Sequence, residues 1–326
     1  MELQKFTEKV TNALCQYYDA KVKIETHKVY KNNGILLQGI CALQEGKNIA
    51  PTVYLNDFFE RYREGESLGS LVKEIIHLIE KNQVSNTVDV SFFMDYEKVK
   101  KRLVFRLIHK DKNKELLQGV PFQTFEDLAI VCHCLMLTEE LGTGSILIHR
   151  EHLENWEISE EQLFADAMIN SPLIEPYCIL KMSDMVKNIL EETMKGQIDE
   201  ICEEYPQDKE KLLERTMEQM VEEMEENQVP MYVLTNARRY YGAACMAYPG
   251  VLQKIAELLQ DDYYILPSSV HEIIFLSKSK ALDASFLNEM IQEVNQSQVE
   301  EEEWLSNHAY LYQRKTKNLI SIIDER

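Results

Sequence analysis

The feature that most constrains the fold of this chain is the stretch 229–278, where strand-like and helix-like apolar patterns alternate. The apolar run at 231–234 predicts a strand, apolar residues at steps of three and four over 240–259 predict a helix, and the run Tyr263–Leu266 predicts a second strand. The linking helix has about the usual crossover length, so we expect the two strands to be parallel neighbours in one sheet. Folds of this kind tend to keep binding sites where the chain leaves the strands.

The two strand exits concentrate polar and charged side chains. The candidate ligand-binding residues there are Asn236, Arg238, Arg239, Tyr241, Ser268, Ser269 and His271. Arginines at a helix start can hold an anion together with backbone N–H groups, although a solvated pair facing the protein's own acidic helices is the competing interpretation. At the second exit, Ser, His and Glu are the residue types of a hydrolytic relay, but side chains so close in sequence do not readily converge.

Ser269 and Glu272 also fit a capping box, which would explain both without chemistry. His271 remains the titratable candidate of the chain because it lies at a strand exit.

The other motifs argue against a metal or a cofactor. Cys132-His133-Cys134 has the residue types of metal ligands, but on the helix predicted for this stretch the three side chains fan over about 200°. Gly142-Thr143-Gly144-Ser145 lacks the third glycine of a dinucleotide fingerprint and precedes a strand where it should follow one, so a hairpin or connecting turn is expected. The sequence contains no CxxC, HxxxH or HExxH pattern. We expect neither a metal site nor a cofactor.

Composition limits the partners and the compartment. With 35 basic and 55 acidic residues, the net charge is −20, which disfavours nucleic acid and anionic membranes as partners. The seven cysteines are scattered and mostly lie in apolar runs, which is typical of reduced thiols in a reducing compartment. No secretory signal is recognisable and no apolar run approaches the ~20 residues of a membrane span. These features predict a cytoplasmic protein.

The first part of the chain reads as an α+β unit. An amphipathic helix begins at Leu3, and strands at 21–30 and 35–43 flank Asn32-Asn33-Gly34, which predicts a hairpin because Asn-Gly accepts positive φ cheaply. The elements predicted next are a strand at 49–54, helices at 56–63 and 68–81, a helical turn at 96–101 and a strand at 102–109. The polar run 110–114 is the expected boundary between an N-terminal unit, 1–112, and a C-terminal unit, 113–326.

The second part continues the α+β pattern. Thr124 as an N-cap predicts a buried helix over 125–135, followed by a strand at 145–149 and a helix at 160–169 that Asn170-Ser171-Pro172 ends. An acidic helical segment, 182–228, carries the stripe Met217, Met220 and Met224, which suits either core packing or an adaptable binding face. A helix near 284–294 and a closing strand at 318–323 complete the chain.

Three segments carry a family resemblance: VPFQTFEDLAIV, SILIHREHLENWEISEEQLFADAMINSP and YVLTNARRYYGAACMAYPGVLQKIAELLQDDYYILPSSVHEII. They resemble the uncharacterised bacterial domain of unknown function family 5688, found mainly in Firmicutes, over about residues 116–276 and more loosely before them. The order of a DLA helix, a W-x-(I/V)-S-x-x-x-L helix and a late strand with a Pro-centred turn is more faintly similar to domain of unknown function family 1444. The resemblance implies a bacterial, cytoplasmic, α+β protein and transfers no activity, cofactor or catalytic residue.

Two functions follow as hypotheses. The acidic helices and the absence of an assembled catalytic group in the sequence favour a binding or adaptor protein with a protein partner and no catalytic activity. The alternative is a hydrolase or anion-recognising protein whose pocket lies at the 235–242 and 267–272 turns. The alternative requires the two turns to lie side by side in an open cleft, whereas the adaptor hypothesis expects their side chains to be buried or to satisfy one another. The sequence leaves the oligomeric state open.

Overall fold

A computed structural model describes residues 2–83, 90–138, 142–187, 229–267, 269–281 and 283–323. Its sheets are antiparallel and are accompanied by helices, so the chain has the predicted α+β fold. The chain divides into two compact units: unit 1 comprises 1–103, 112–120 and 133–159, and unit 2 comprises 104–111, 121–132 and 160–326. That residues 1–112 and 113–326 fold as separate units stays a prediction.

Unit 1 is built on a three-stranded sheet covered by helices. Its first elements are α1 Leu3–Tyr17, β1 Val22–Tyr30, β2 Leu36–Gln44, β3 Thr52–Tyr54, α2 Asn56–Arg63 and α3 Leu68–Lys81. Positive φ at Asn33 (61°) and Gly34 (74°) turns β1 into β2, so the predicted hairpin is confirmed. The core joins apolar residues of α1, β2 and α3, including Phe6, Ile40 and Ile75.

The predicted helix over 125–135 is wrong. Helix α4, Tyr96–Lys100, precedes strand β4, Leu103–His109. After helix α5, Leu116–Gly119, the chain forms the strands β5 Phe122–Phe125 and β6 Leu128–Thr138. Phe125 lies opposite Leu128, and Glu126 takes a φ of 54° in the tight turn between them. The stretch Leu128–Leu135 is apolar almost throughout, so its hydrophobic pattern shows neither the strand period nor the helix period. Such a pattern does not distinguish a strand buried on both faces from a buried helix.

Two further boundaries differ from the sequence prediction. Strand β7, Gly142–Leu147, pairs with β6 and begins at Gly142, so Gly142-Thr143-Gly144 lies in a strand and not in a turn. Helix α6 spans Arg150–Trp156, and α7 runs Glu160–Ile174 past the predicted stop, with Pro172 inside it. Ser171 is fully buried there: its Oγ donates to the Ala167 carbonyl (2.6 Å) and accepts from the Phe105 N–H (2.9 Å). The first bond lies within the helix and the second is a tertiary contact with β4, and both fix the residue that precedes the proline.

Unit 2 contains one large antiparallel sheet. Its strands are β8 Tyr177–Lys181, β9 Met231–Asn236, β10 Tyr263–Leu266, β11 Ile273–Ser277, β12 Tyr310–Gln313 and β13 Asn318–Ser321, in the order β13-β12-β10-β11-β9-β8. The expected side-by-side pairing of β9 and β10 is wrong, because β11 lies between them and pairs antiparallel with both. The two strands nevertheless belong to one sheet and run in the same direction.

The connection between β9 and β10 is also divided. A 3-10 helix spans Gly242–Ala247 and α8 spans Val251–Leu259, where the sequence pattern predicts one helix over 240–259. Gly250, with a φ of 78°, separates the two. Helix α9, Ala284–Gln298, and β13 agree with the predicted closing elements.

Some predictions fall on residues that the structure does not describe. Residues 182–187 are helical, but 188–228, with most of the acidic segment and the methionine stripe, lie outside the described residues, and so does Ser268. Within the described ranges, no helix is long and apolar enough to cross a membrane. The same ranges hold no group of three or more His, Cys, Asp or Glu side chains that could bind a metal.

Candidate functional site

The turn after β9 is organised by the side chain of Asn236, which is 1% exposed. Its Oδ1 accepts from the N–H groups of Arg238 (3.1 Å) and Tyr240 (3.3 Å), and its Nδ2 donates to the Tyr240 carbonyl (2.8 Å). Arg239 and Tyr241 have φ values of 51° and 53°, which large side chains rarely adopt. The amide of Asn236 therefore holds a turn that presents two arginines and two tyrosines in a strained backbone.

The two strand exits meet at Gly242. The buried Thr235 hydroxyl donates to the His271 carbonyl (2.8 Å), and the Ala243 N–H donates to the Val270 carbonyl (3.2 Å). A Cβ atom on Gly242 would lie 2.1 Å from Thr235 Oγ1 and 2.6 Å from the His271 carbonyl oxygen. The structure therefore brings together the turns that the sequence singled out, and only glycine fits at their contact.

The imidazole of His271 has partners on both ring nitrogens. Nδ1 accepts from the Tyr241 N–H (3.1 Å), so the proton of the neutral ring is on Nε2, which lies 3.1 Å from a Glu303 carboxylate oxygen. The His271 N–H donates to Ser269 Oγ (3.0 Å), and the Val270 N–H donates to the Glu303 carbonyl (2.8 Å). The acidic run after α9 is thereby docked on the second turn, and His271 has no ring nitrogen left to act as a base.

The guanidinium of Arg106, from the apolar strand β4, lies beneath the tyrosines of the first turn. Arg106 is 3% exposed, and its Cζ lies 3.9 Å from the centroid of the Tyr241 ring and 5.3 Å from that of Tyr240. Its Nε is buried and has no hydrogen-bond partner. A buried cation with an unpaired N–H is costly, and stacking on two aromatic rings offsets only part of that cost.

Glu175, which follows α7, is the buried carboxylate of this region, at 3% exposure. Burial raises its pKa, and the charges of Arg106 and Arg238 oppose that rise. The nearest guanidinium nitrogen of Arg238 lies 3.9 Å from its Oε1. The charges of two guanidinium groups thus act on one buried carboxylate, which burial itself biases towards its neutral form.

Tyr240 and Tyr241 complete the group, which we call the arginine–tyrosine cluster: Arg106, Glu175, Arg238, Tyr240 and Tyr241. The two rings meet edge to face at 4.7 Å, and both contact the His271 ring. Burial raises the pKa of Tyr241, against the opposing charge of Arg106. Tyr240 is 48% exposed, so the cluster extends from a buried guanidinium to the surface.

Of the residues proposed from sequence, Asn236, Arg238, Tyr241, Ser269 and His271 form one connected set. Arg239 lies in the same turn with an exposed side chain, and Ser268 is outside the described residues. None of these residues offers a free base, since the side chains of Asn236, Ser269 and His271 form hydrogen bonds within the two turns.

Sequence reasoning missed Arg106, Glu175 and Glu303. Arg106 had a usable signal, because it is a single charge inside the apolar strand LVFRLIH. Glu175 and Glu303 had none, because their roles depend on contacts with residues far away in sequence.

Comparison with known proteins gives a family match. The model of a family of unknown function, DUF5688, matches residues 3–314. No curated protein and no solved structure matches the chain. The fainter likeness to domain of unknown function family 1444, and a bacterial origin, stay predictions.

Proposed function

The chain belongs to DUF5688, a family of unknown function, and we propose that it is a binding protein that recognises an anionic group, a carboxylate or a phosphate, at the arginine–tyrosine cluster. The observation that carries the proposal is the buried Arg106 guanidinium, whose Nε has no hydrogen-bond partner and whose charge, like that of Arg238, acts on the buried Glu175 carboxylate. An anion would supply the missing acceptor.

The charge of the region supports an anion as the ligand. The whole chain has a net charge of −20, so two consecutive arginines in one turn are a local departure from its average. Arg238 and Arg239 are consecutive in the first turn, and the exposed ring of Tyr240 offers an apolar face and a hydroxyl beside them. Guanidinium groups suit carboxylates and phosphates because their N–H donors match two oxygens at once.

The hydrogen bonds of the second turn support binding without catalysis. A hydrolase would need a base with a free nitrogen or oxygen near a nucleophile. His271 instead uses Nδ1 to hold Tyr241 and Nε2 to hold Glu303, and Ser269 Oγ accepts a backbone N–H. This mutual satisfaction favours the non-catalytic hypothesis over the hydrolase. The partner that bears the anion and the cytoplasmic location remain proposals.

The test is calorimetric titration of the purified chain with inorganic phosphate and with citrate. Arg238→Gln removes one guanidinium with little change of shape. A lost charge-assisted hydrogen bond contributes roughly 1.5–3 kcal/mol, so we expect the dissociation constant to rise about tenfold or more. Lys315→Gln is the matched control, because it removes the same charge from the exposed turn between β12 and β13.

Two results of the titration would contradict anion binding at the arginine–tyrosine cluster. If wild type binds neither anion, or if Lys315→Gln weakens binding as much as Arg238→Gln does, the cluster is not the site and the effect is one of net charge. Circular dichroism of each variant shows whether the fold is retained. Assays with ester and phosphoester substrates complete the test, since turnover that His271→Gln abolishes would overturn the non-catalytic proposal.

A further inference from the structure

Helix α6 in unit 1 begins with two histidines that cap each other. The His149 N–H donates to Nδ1 of His152 (3.0 Å), and the His152 N–H in turn donates to the His149 side chain. This is the geometry of a capping box, in which serine or threonine and glutamate or glutamine are the usual pair. An imidazole nitrogen that accepts a hydrogen bond carries no proton, so the His152 ring must be neutral for the reciprocal cap to exist.

His152 is enclosed by aromatic rings. Its ring lies edge to face with Phe93 at 5.0 Å and tilted towards Trp156 at 5.6 Å, and the Trp156 Nε1–H donates to the Phe93 carbonyl at 2.8 Å. Tyr96 packs on the other side of Trp156. Burial lowers the pKa of His152, the neighbouring His149 lowers it further, and Glu151 opposes both. The enclosure therefore favours the neutral ring that the cap requires.

The second histidine forms part of a cavity wall. A cavity of about 510 Å³ is lined by Tyr30, Glu115, Leu116, Gln118, Gly119 and His149. The His149 ring is held at that wall by its bond to the His152 N–H. The position of this part of the wall therefore depends on the cap.

We propose that His152 is a proton-sensitive switch at the start of α6. Protonation of His152 converts its Nδ1 from an acceptor into a donor that faces the His149 N–H, so the cap breaks and the first turn of the helix opens. His149 then leaves the cavity wall. The charged and titratable groups around the pair are Arg150 and Glu151 on the same helix, Tyr96 beyond Trp156, and Glu115 and Tyr30, which line the cavity.

The direction of the pH effect follows from the cap. A histidine whose pKa in the folded state lies below its ordinary value of about 6.5 binds a proton more readily in the unfolded state than in the folded state. The free energy of unfolding therefore falls as the pH drops below that value. The carboxylate of Glu151 opposes this lowering because it favours the protonated His152 ring. The switch is closed at neutral pH and opens on acidification.

Two readouts test the switch on the full chain. The first is hydrogen exchange of the 149–156 amides, corrected for the intrinsic rate at each pH, where we expect protection to fall about tenfold or more between about pH 7.5 and about pH 5.5. The second is the fluorescence of Trp156 in a Trp304→Phe background, where an imidazolium at His152 should quench the indole over the same pH range.

The double variant His149→Asn with His152→Gln separates a switch from general acid weakening. Asparagine is a good N-cap and glutamine is a good third residue of a capping box, so the cap keeps its acceptors but loses its titration. We expect its α6 amides to stay protected across the pH range. Wild-type protection that does not change with pH, or a double variant that loses protection as wild type does, would overturn the proposal.

Discussion

At the scale of single residues, the site depends on positions where only one side chain fits. Gly242 is the clearest case, because the atoms that surround it are Thr235 Oγ1, the Asn236 N–H and the His271 carbonyl, and two of these are backbone. Backbone atoms of paired strands cannot move aside as the end of a flexible side chain can. The close approach of the two turns therefore requires glycine at position 242.

The Gly242→Ala variant should be strongly destabilised. The added Cβ would lie 2.1 Å from Thr235 Oγ1 and 2.5 Å from the Asn236 nitrogen, so the turns must separate. We expect a loss of about 3 kcal/mol in the free energy of unfolding, measured by urea denaturation. Gly69→Ala in α3 is the control: nothing lies within 4 Å of its Cβ, and it should stabilise the helix by about 0.5–1 kcal/mol. Equal effects of both substitutions would contradict the steric argument.

A second residue-scale feature is the network around Asp127, in the turn between β5 and β6. Its carboxylate accepts from the Tyr310 hydroxyl (2.5 Å) and the Ser306 hydroxyl (3.3 Å), and His308 Nε2 lies 3.6 Å away. Burial acts to raise the pKa of Asp127, but the hydrogen bond from Tyr310 and the nearby His308 ring outweigh it and the pKa is lowered. The charged form of Asp127 is therefore the one that stabilises the fold.

This network gives a pH prediction. A lowered folded pKa means that the stabilisation is present above the ordinary aspartate value of about 3.9 and is lost as the pH falls from that value through the lower folded pKa. Asp127→Asn should cost about 1–3 kcal/mol at neutral pH, and the difference from wild type should shrink below about pH 4. Denaturation at both pH values measures it, with the exposed Glu154→Gln as control. A difference that is constant with pH would show that the charge of Asp127 contributes nothing.

At the scale of elements, local capping decides where helices begin and end. Helix α6 ends at Glu157, whose φ is 56° and ψ is 40°, a left-handed conformation that glycine adopts at no steric cost. Its N–H is bonded to the last turn through the Glu154 carbonyl. The end of α6 therefore requires a left-handed backbone conformation, which glutamate at position 157 adopts only at a steric cost.

The Glu157→Gly variant should be more stable than wild type by about 0.5–1 kcal/mol, because it relieves the left-handed strain. Glu154→Gly, three residues earlier inside the same helix, should be less stable by about 1 kcal/mol. Thermal unfolding of the two variants gives opposite shifts if the end of α6 is where the structure puts it. Two shifts of the melting temperature with the same sign would contradict the left-handed end of α6 at residue 157.

At the scale of the whole molecule, charge sets the response to salt. A net charge of −20 makes the folded chain repel itself, since folding brings the carboxylates closer together. Screening of exposed charges is substantial at physiological ionic strength. The acidic excess therefore lowers stability most in dilute buffer.

Raising NaCl from about 10 mM to about 300 mM at neutral pH should raise the melting temperature by several degrees, as read by differential scanning fluorimetry. Near the isoelectric point, about 4.9, the net charge vanishes and the same addition should have little effect. If salt raises the melting temperature equally at both pH values, the effect is not one of net charge.

Sequence alone determined the elements whose cause is local. The Asn33-Gly34 turn forms because these residues accept positive φ, and α2 and α3 agree with their predicted bounds because their apolar period and the Ser67 N-cap act within one or two turns. It also singled out the 235–242 and 267–272 turns, because Gly, Pro and Asn mark strand exits wherever the strands lie.

Only the tertiary structure decided the rest. The run Leu128–Leu135 has no period, so its pairing with β5 and β7 decides that it is a strand. Strand β11 enters between β9 and β10 because pairing partners are chosen by contacts across the sheet and not by distance along the chain. Arg106 and Glu175 meet the first turn from distant parts of the sequence, so their shared charge arises only when the packed sheet and α7 bring them together. Local residue chemistry sets the turns and the caps, and long-range packing sets the pairing and the site.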